Sequence, residues 1–339
     1  MSSVSPLPPA SPIQESRWFE VAWTQISAYK KLIMHLKSHC AYAHVRADSQ
    51  QGIVLTGTSS IDQLCVEVRL PPTSFSEYYL SWSSSTVVEL NMYTFYSIMK
   101  RVTAFRCEKV RMRMEWVPQG YYMVTITFET INKCERFHMR ASETVTRVAQ
   151  LDHGFVKKNI PIVALLNTTL LADSFQRFDE NSFHTLTLTV HRHGQHKRTV
   201  CLETMHDMLT LRGKTDNMQG KVYIPYTMDN RQLNDKTIER PSKYRIGSYL
   251  LSTLRSVTRF GTMSPDKMLA LHHSSHYRRS PLCVLFNFSD VGFVECYIPQ
   301  VSCDMHAWTP GSLSDSTSSE EDDIVEQMYR RTTLMDTKK

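Results

Sequence analysis

The chain has 339 residues, enough for one large or two medium-sized domains, and 41% of them are hydrophobic. No apolar run approaches the 18 residues of a membrane-spanning helix, and 11 glycines are few for a Gly-rich nucleotide-binding protein. The formal charge is +6, and residues 309–339 hold 7 acidic and 4 basic side chains. The rest of the chain is therefore more basic than the total suggests, which favours a polyanionic partner, although a mildly charged surface would look the same.

The first half of the chain alternates short strand patterns with two helical ones. Residues 1–16 are rich in Ser and Pro and lack the apolar core of a signal peptide, so we expect a disordered leader on an intracellular protein. Helical spacing appears at 27–40, where Ser27 could cap the helix, and at 92–102. Strands are predicted at 18–24, 42–47, 53–58, 65–70, 87–90, 109–116, 121–130 and 136–141.

The second half repeats this order. Residues 144–159 show no period and are predicted to connect the halves, and helices are predicted at 168–178 and 248–260. Residues 304–339 are predicted to form an acidic disordered tail. Strands are predicted at 160–166, 184–191, 199–203, 208–212, 221–226, 244–246, 267–272, 282–288 and 293–298.

This internal duplication predicts an α+β protein of two similar modules, residues 17–143 and 160–303. Each module would be an antiparallel sheet backed by two helices. The eight cysteines include no C-x-x-C pair, so a zinc ribbon is not supported, and reduced thiols fit a nuclear or cytosolic compartment.

Several short segments carry a second signal, in the same order as the elements. They are Phe19-Glu20-Val21 before Ala28-Tyr29-Lys30-Lys31-Leu32 and His35-Leu36-Lys37, Gly52-Ile53-Val54-Leu55 before Ser59-Ser60, Val88-Glu89-Leu90-Asn91 before Ile98-Met99-Lys100, Tyr249-Leu250 with Leu254-Arg255, and Pro281-Leu282-Cys283-Val284 before Cys296-Tyr297-Ile298-Pro299. Together they resemble the sliding clamp family of proliferating cell nuclear antigen over residues 17–303, and the terminal extensions are similar to those of clamp-like proteins from large DNA viruses.

The resemblance implies a ring-forming DNA clamp fold and a processivity factor for DNA replication and repair, with no enzymatic activity and no cofactor. It implies double-stranded DNA as a non-specific partner, with a DNA polymerase and other clients, a separate clamp loader and a homotrimeric assembly. The expected location is the nucleus or a cytoplasmic site of viral replication.

In this family the helices line the hole through which DNA passes. Lys30, Lys31, Lys37, Lys100 and Arg255 match family positions, and this sequence adds Arg101, Arg177 and Arg259. Cations on these helices would face phosphates without reading bases. Asp173 departs from the pattern, because the family tends to be basic there.

The resemblance also implies a client-binding pocket and a joint between subunits. The pocket positions are Ile61, Pro281, Tyr297 and Pro299, with Leu151, Phe155 and Val156 offered by the connector. The joint would pair strand 136–141 with strand 221–226 of the next subunit, where Pro225 removes one donor and leaves room for a weaker joint or a different stoichiometry.

Other readings of the sequence remain open. Two histidine groups have spacing that can bind a metal, but they lack acidic neighbours in sequence, so no metal site is expected. No Walker loop, G-x-S-x-G or H-E-x-x-H motif is present, which disfavours an α+β enzyme. The alternatives are a subunit of a hetero-oligomeric checkpoint clamp, or a monomeric or dimeric viral processivity factor that binds DNA directly. The histidine groups are His191, His193 and His196, and His272, His273 and His276.

Overall fold

The computed structural model describes eleven stretches of the chain. They are residues 17–59, 64–81, 86–102, 107–144, 162–191, 207–214, 218–228, 243–261, 267–273, 281–288 and 291–301. The predicted leader, the predicted connector after Thr144, the predicted strand at 199–203 and the predicted tail lie outside them.

Among the described residues, four α-helices form where apolar side chains recur at helical spacing. α1 spans Ile26–His39, α2 Met92–Lys100, α3 Thr168–Gln176 and α4 Leu251–Gly261. Asn91 and Asn167 cap α2 and α3 with their side chains, each accepting backbone N–H bonds from the first turn. The predicted capping role of Ser27 is wrong, because α1 begins one residue earlier and its N-cap is Gln25.

The strands agree with the predicted order and add one that the sequence pattern did not indicate. In the first half they are β1 Trp18–Trp23, β2 Tyr42–Asp48, β3 Gly52–Thr58, β4 Cys65–Leu70, β5 Glu77–Ser81, β6 Val88–Asn91, β7 Lys109–Val117, β8 Tyr121–Glu129 and β9 Cys134–Glu143. In the second half they are β10 Ile162–Asn167, β11 Thr185–His191, β12 Asp207–Lys214, β13 Gln219–Met228, β14 Lys243–Leu250, β15 Met268–His273, β16 Leu282–Asn287 and β17 Phe293–Ile298. The added strand is β5.

The strand pairings are antiparallel and repeat between the halves. In the first half, β6-β2-β3-β4 form one run and β1-β7-β8-β9 another. In the second half, β14-β11-β12-β13 and β10-β15-β16-β17 form the corresponding runs. We call the two halves the first lobe (residues 18–143) and the second lobe (residues 162–298). The chain is thus an α+β protein with antiparallel sheets and two helices in each lobe.

The two lobes join through a seam between β4 of the first lobe and β17 of the second. Five residue pairs face each other there, from Phe293 opposite Arg69 to Tyr297 opposite Cys65. The sheet therefore continues from one lobe into the other, and the described residues belong to one compact unit. Alternate side chains of these strands, among them Val66 and Val294, pack into the hydrophobic core with the buried faces of the helices. The opposite side of the sheet, which points away from that core, is called the outer face below.

Candidate nucleic-acid interface and assembly edges

The four helices pack in one row, in the order α2-α1-α4-α3. Their buried sides face the sheet, so the row presents its other side outward. Asp173 is the only carboxylate in the four helices. The cations in them are Lys30, Lys31, Lys37, Lys100, Arg255 and Arg259. The row is therefore a positively charged surface, and its charge comes from sequence positions far apart in the chain.

Five of the eight predicted DNA-binding residues are exposed on this row or directly at its helix ends. Arg101 and Arg177 are the C-cap residues of α2 and α3. Arg101 stacks its guanidinium over the Phe137 ring at 5.2 Å, which fixes its direction without neutralising its charge. The exposed residues are Lys31, Lys100, Arg101, Arg177 and Arg259.

Two of the other predicted residues hold helix ends. Lys30 Nζ donates to the carbonyl oxygens of Lys100 and Val102, at 3.2 and 2.8 Å, where α2 ends. Arg255 donates to the carbonyls of Phe175 and Phe178, where α3 ends. The last carbonyls of a helix have no partner within it and carry partial negative charge, so a cation stabilises them. Each lobe thus uses one cation of the row to join its two helices.

The remaining predicted residue, Lys37, lies between two aromatic rings of α2. Its Nζ is 5.1 Å from the ring centre of Tyr93 and 5.3 Å from that of Tyr96. This cation–π arrangement leaves the positive charge at the edge of the row, since an aromatic ring neutralises none of it.

Asp173 places a negative charge at one end of the row. Its side chain is exposed on α3, and Glu180 in the following turn pairs with Arg255 at 2.7 Å. The α3 end of the row is therefore less positive than the α1 and α2 part, and a polyanion would be held most strongly near α1, α2 and α4.

Two histidines fill the contact between α1 and α4, where the lobes meet on the helix side. The His39 ring stacks on Phe260 with centroids 5.1 Å apart, its Nδ1 lies 3.2 Å from Ser256 Oγ, and His35 packs against the same ring. Burial, then His35 and Arg259, lower the pKa of His39 to about 4. Burial, Arg259 and Lys31 also lower the pKa of His35. Neutral imidazoles are thus part of this contact.

The described part of the predicted client pocket is closed. Tyr297 is fully buried and donates its hydroxyl to Glu295 at 2.5 Å, Pro281 is buried, and Pro299 is half-buried. Burial, with Cys283 and Glu295 nearby, raises the pKa of Tyr297 well above its usual range. The other predicted residues, Ile61, Leu151, Phe155 and Val156, lie outside the described residues.

A polar cluster at the seam was missed by the sequence reasoning. Glu67 on β4 and Glu295 on β17 are directly opposite each other on the outer face, and both are buried. Arg69 lies between them, with its Nε 2.5 Å from Glu67 and its Nη2 3.8 Å from Glu295. The sequence does contain a sign of this cluster, since charged residues alternate with apolar ones in these strands. Only the pairing of β4 with β17 brings the two carboxylates together.

The two strands of the predicted subunit joint each have an edge with no neighbour among the described residues. β9 pairs with β8 along 134–141, and β13 pairs with β12 along 219–226. β6 and β10 meet only the ends of these strands. Pro225 lies in β13 opposite Met208 and has no N–H to donate, so β13 lacks one backbone donor. Unpaired edges of this kind are sites where a further strand can add.

Within the described residues, no group of three or more His, Cys, Asp or Glu side chains is placed to hold a metal ion. The two predicted histidine groups fall on residues that are not described or whose side chains are not described. None of the described helices is long and apolar enough to cross a membrane. Comparison with known proteins finds no matching family model and no matching curated protein.

Proposed function

We propose that this chain is a subunit of a DNA sliding clamp, which encircles duplex DNA and tethers replication or repair enzymes to it. The observation that carries the proposal is the helix row, which gathers six cations and one carboxylate onto one surface from four separate helices. A clamp needs this kind of surface, because phosphate contacts hold DNA without reading its sequence and allow sliding.

The repeated lobes supply the second argument, which concerns assembly. The seam joins the fourth strand of the first lobe, β4, to the last strand of the second, β17. The corresponding strands at the other ends are β13 and β9, and both have an open edge in the described residues. Applying the same joint once more would pair β13 of one subunit with the strand that corresponds to β9 in the next. A head-to-tail contact of this kind makes a ring when the rotation closes.

The DNA surface is tested by removing two exposed cations from the middle of the row. In the double variant Lys31→Gln/Arg259→Gln we expect weaker binding to a short duplex and a plot of log affinity against log salt that is shallower by roughly 2, because each phosphate contact releases about one counterion. Fluorescence anisotropy over a salt series measures both. Lys30 and Arg255 are left intact because they hold helix ends.

A matched control removes the same charge from the sheet side of the protein. Arg46 and Lys133 are placed on β2 and in the β8–β9 turn, away from the helix row. Arg46→Gln/Lys133→Gln should keep the duplex affinity and the salt slope of the wild type. Equal loss in both variants would mean that binding follows net charge alone, and the helix row would lose its assigned role.

The tethering role is tested in a replication reaction. The chain, together with any further subunit that it needs to close a ring, is added with a clamp loader to a polymerase on primed circular DNA. Longer products are expected with the wild type and with the Arg46→Gln/Lys133→Gln control, and shorter ones with Lys31→Gln/Arg259→Gln. Product lengths that do not respond to the chain would remove the processivity role.

A further inference from the structure

The open edges of β9 and β13 carry charge of the same sign on the outer face. Met139 and Ala141 of β9 point into the core, so Arg136, His138 and Arg140 point outward, and all three are exposed. Arg140 lies over the Tyr121 ring at 4.8 Å, and His138 Nδ1 is 3.0 Å from Thr125 Oγ1. The β9 edge is therefore held in place with its cations outward.

The β13 edge is also basic. Ile224 points into the core and Val222 packs against it, so Lys221 and Tyr223 point outward. Lys221 is directly opposite Arg212 of β12, and Lys214 follows two residues later on the same face. Like charges facing each other across two strands are unfavourable, and they persist here on an exposed surface.

Carboxylates that could balance these charges are absent from the outward positions of these strands, within residues 134–141, 209–214 and 219–224. On the neighbouring strands, Glu129 lies opposite Cys134 at the end of β8, where Arg111 Nε binds it at 3.1 Å, and Glu89 of β6 lies opposite Ser142, 3.7 Å from His44 Nε2. Glu135 lies on the other face of β9 and pairs with Lys133. The seam between the lobes is different, since it sets two carboxylates around Arg69 at the corresponding strands.

If β9 and β13 of two identical chains met, Arg136 and Arg140 would face Lys221 and its neighbour Arg212 without an anion between them. The apolar sides of the two strands would match, and the outer sides would repel. We infer that each of these edges receives a strand from a different chain, one that carries carboxylates on its outward positions, so that the assembled ring is hetero-oligomeric. The inference rests on the proposed clamp function, and it specifies the partner.

Sedimentation velocity of the purified 339-residue chain, without DNA, measures its mass and hence its oligomeric state. The wild type should remain a 39.2 kDa monomer at low salt. Arg136→Glu/Arg140→Glu makes the β9 edge acidic while β13 stays basic, so this variant should self-assemble at low salt to about three times the monomer mass, the ring expected from head-to-tail closure. High salt should dissociate it, because screening removes the new attraction.

Two further variants make the result specific. Adding Arg212→Glu/Lys221→Glu to the first pair gives two acidic edges and should return the chain to a monomer. Arg46→Glu/Lys267→Glu changes the net charge equally, on β2 and just before β15, away from both edge strands, and should leave it a monomer. If Arg136→Glu/Arg140→Glu does not fold by circular dichroism, Arg212→Glu/Lys221→Glu alone serves in its place, since it makes the opposite edge acidic and should also self-assemble.

A wild-type trimer at low salt would overturn the inference, and so would a folded single-edge variant that stays monomeric. Neither result depends on DNA binding. A wild-type trimer that binds duplex through Lys31 and Arg259 would keep the clamp function and remove the foreign partner. The opposite outcome is self-assembly of Arg136→Glu/Arg140→Glu together with a duplex affinity that Lys31→Gln/Arg259→Gln does not change. It would support the foreign partner and contradict the DNA-binding role of the helix row.

Discussion

Neighbouring cations of the helix row have different structural roles, as Lys30 and Lys31 show. Lys30 donates to two backbone carbonyls at the end of α2, whereas Lys31, one residue later, is exposed. Replacing both would mix a loss of helix capping with a loss of surface charge. The same applies to Arg255, which holds the end of α3.

Lys30→Met should lower the free energy of unfolding by about 1 kcal/mol, since it removes charge-assisted bonds to helix carbonyls and keeps most of the apolar stem. Urea denaturation measures the change. Lys31→Met is the matched control and should shift stability by less than about 0.5 kcal/mol. Equal effects at the two positions would contradict the capping role.

At the scale of elements, the contact between α1 and α4 depends on uncharged histidine. The pKa of His39 falls to about 4 in the folded protein, below the ordinary value of about 6.5 that the unfolded chain has. Between these values the unfolded chain binds a proton that the folded chain does not, so stability falls as the pH drops from about 6.5 toward 4. Arg259 and Lys31 add positive charge around the two rings, and a proton on His35 would add more, so none of these groups opposes the trend.

His39→Gln should flatten that acid dependence, because an amide retains a partner for Ser256 and does not titrate. Urea unfolding midpoints near neutral pH and near pH 5 make the comparison, with His44→Gln as the control on β2, outside this contact. A variant whose midpoint still falls with acid as steeply as that of the wild type would show that His39 is not the group responsible.

The elements could be predicted from the sequence to the extent that side-chain spacing determined them. Tyr29, Leu32 and Leu36 lie on the buried face of α1, as their spacing indicates. β5 was missed because Glu77–Ser81 lies half-exposed at the side of β1 and shows no alternation of apolar residues. Which cation caps which helix, and which glutamates meet at the seam, depend on contacts between residues distant in sequence, and no local pattern contains that information.

At the scale of the whole molecule, the continuity of the two lobes depends on the seam between β4 and β17. Its core side is apolar, and its outer side holds two buried carboxylates with one guanidinium between them. An arrangement of this kind is stable only while the cation is present, because two like charges out of water repel and lose hydration. The stability of the seam is therefore expected to depend on the positive charge of Arg69.

Arg69→Met should lower the free energy of unfolding by about 3 kcal/mol near neutral pH, because it removes the guanidinium that lies between the buried carboxylates of Glu67 and Glu295, which face each other. Adding Glu67→Gln and Glu295→Gln should recover most of the loss, since neutral amides can share hydrogen bonds across the strands. Urea unfolding of the three proteins, with Arg46→Met as a half-buried control on β2, measures each step. A single variant as stable as the wild type, or a triple variant no better than the single one, would mean that the seam is held by its apolar side alone.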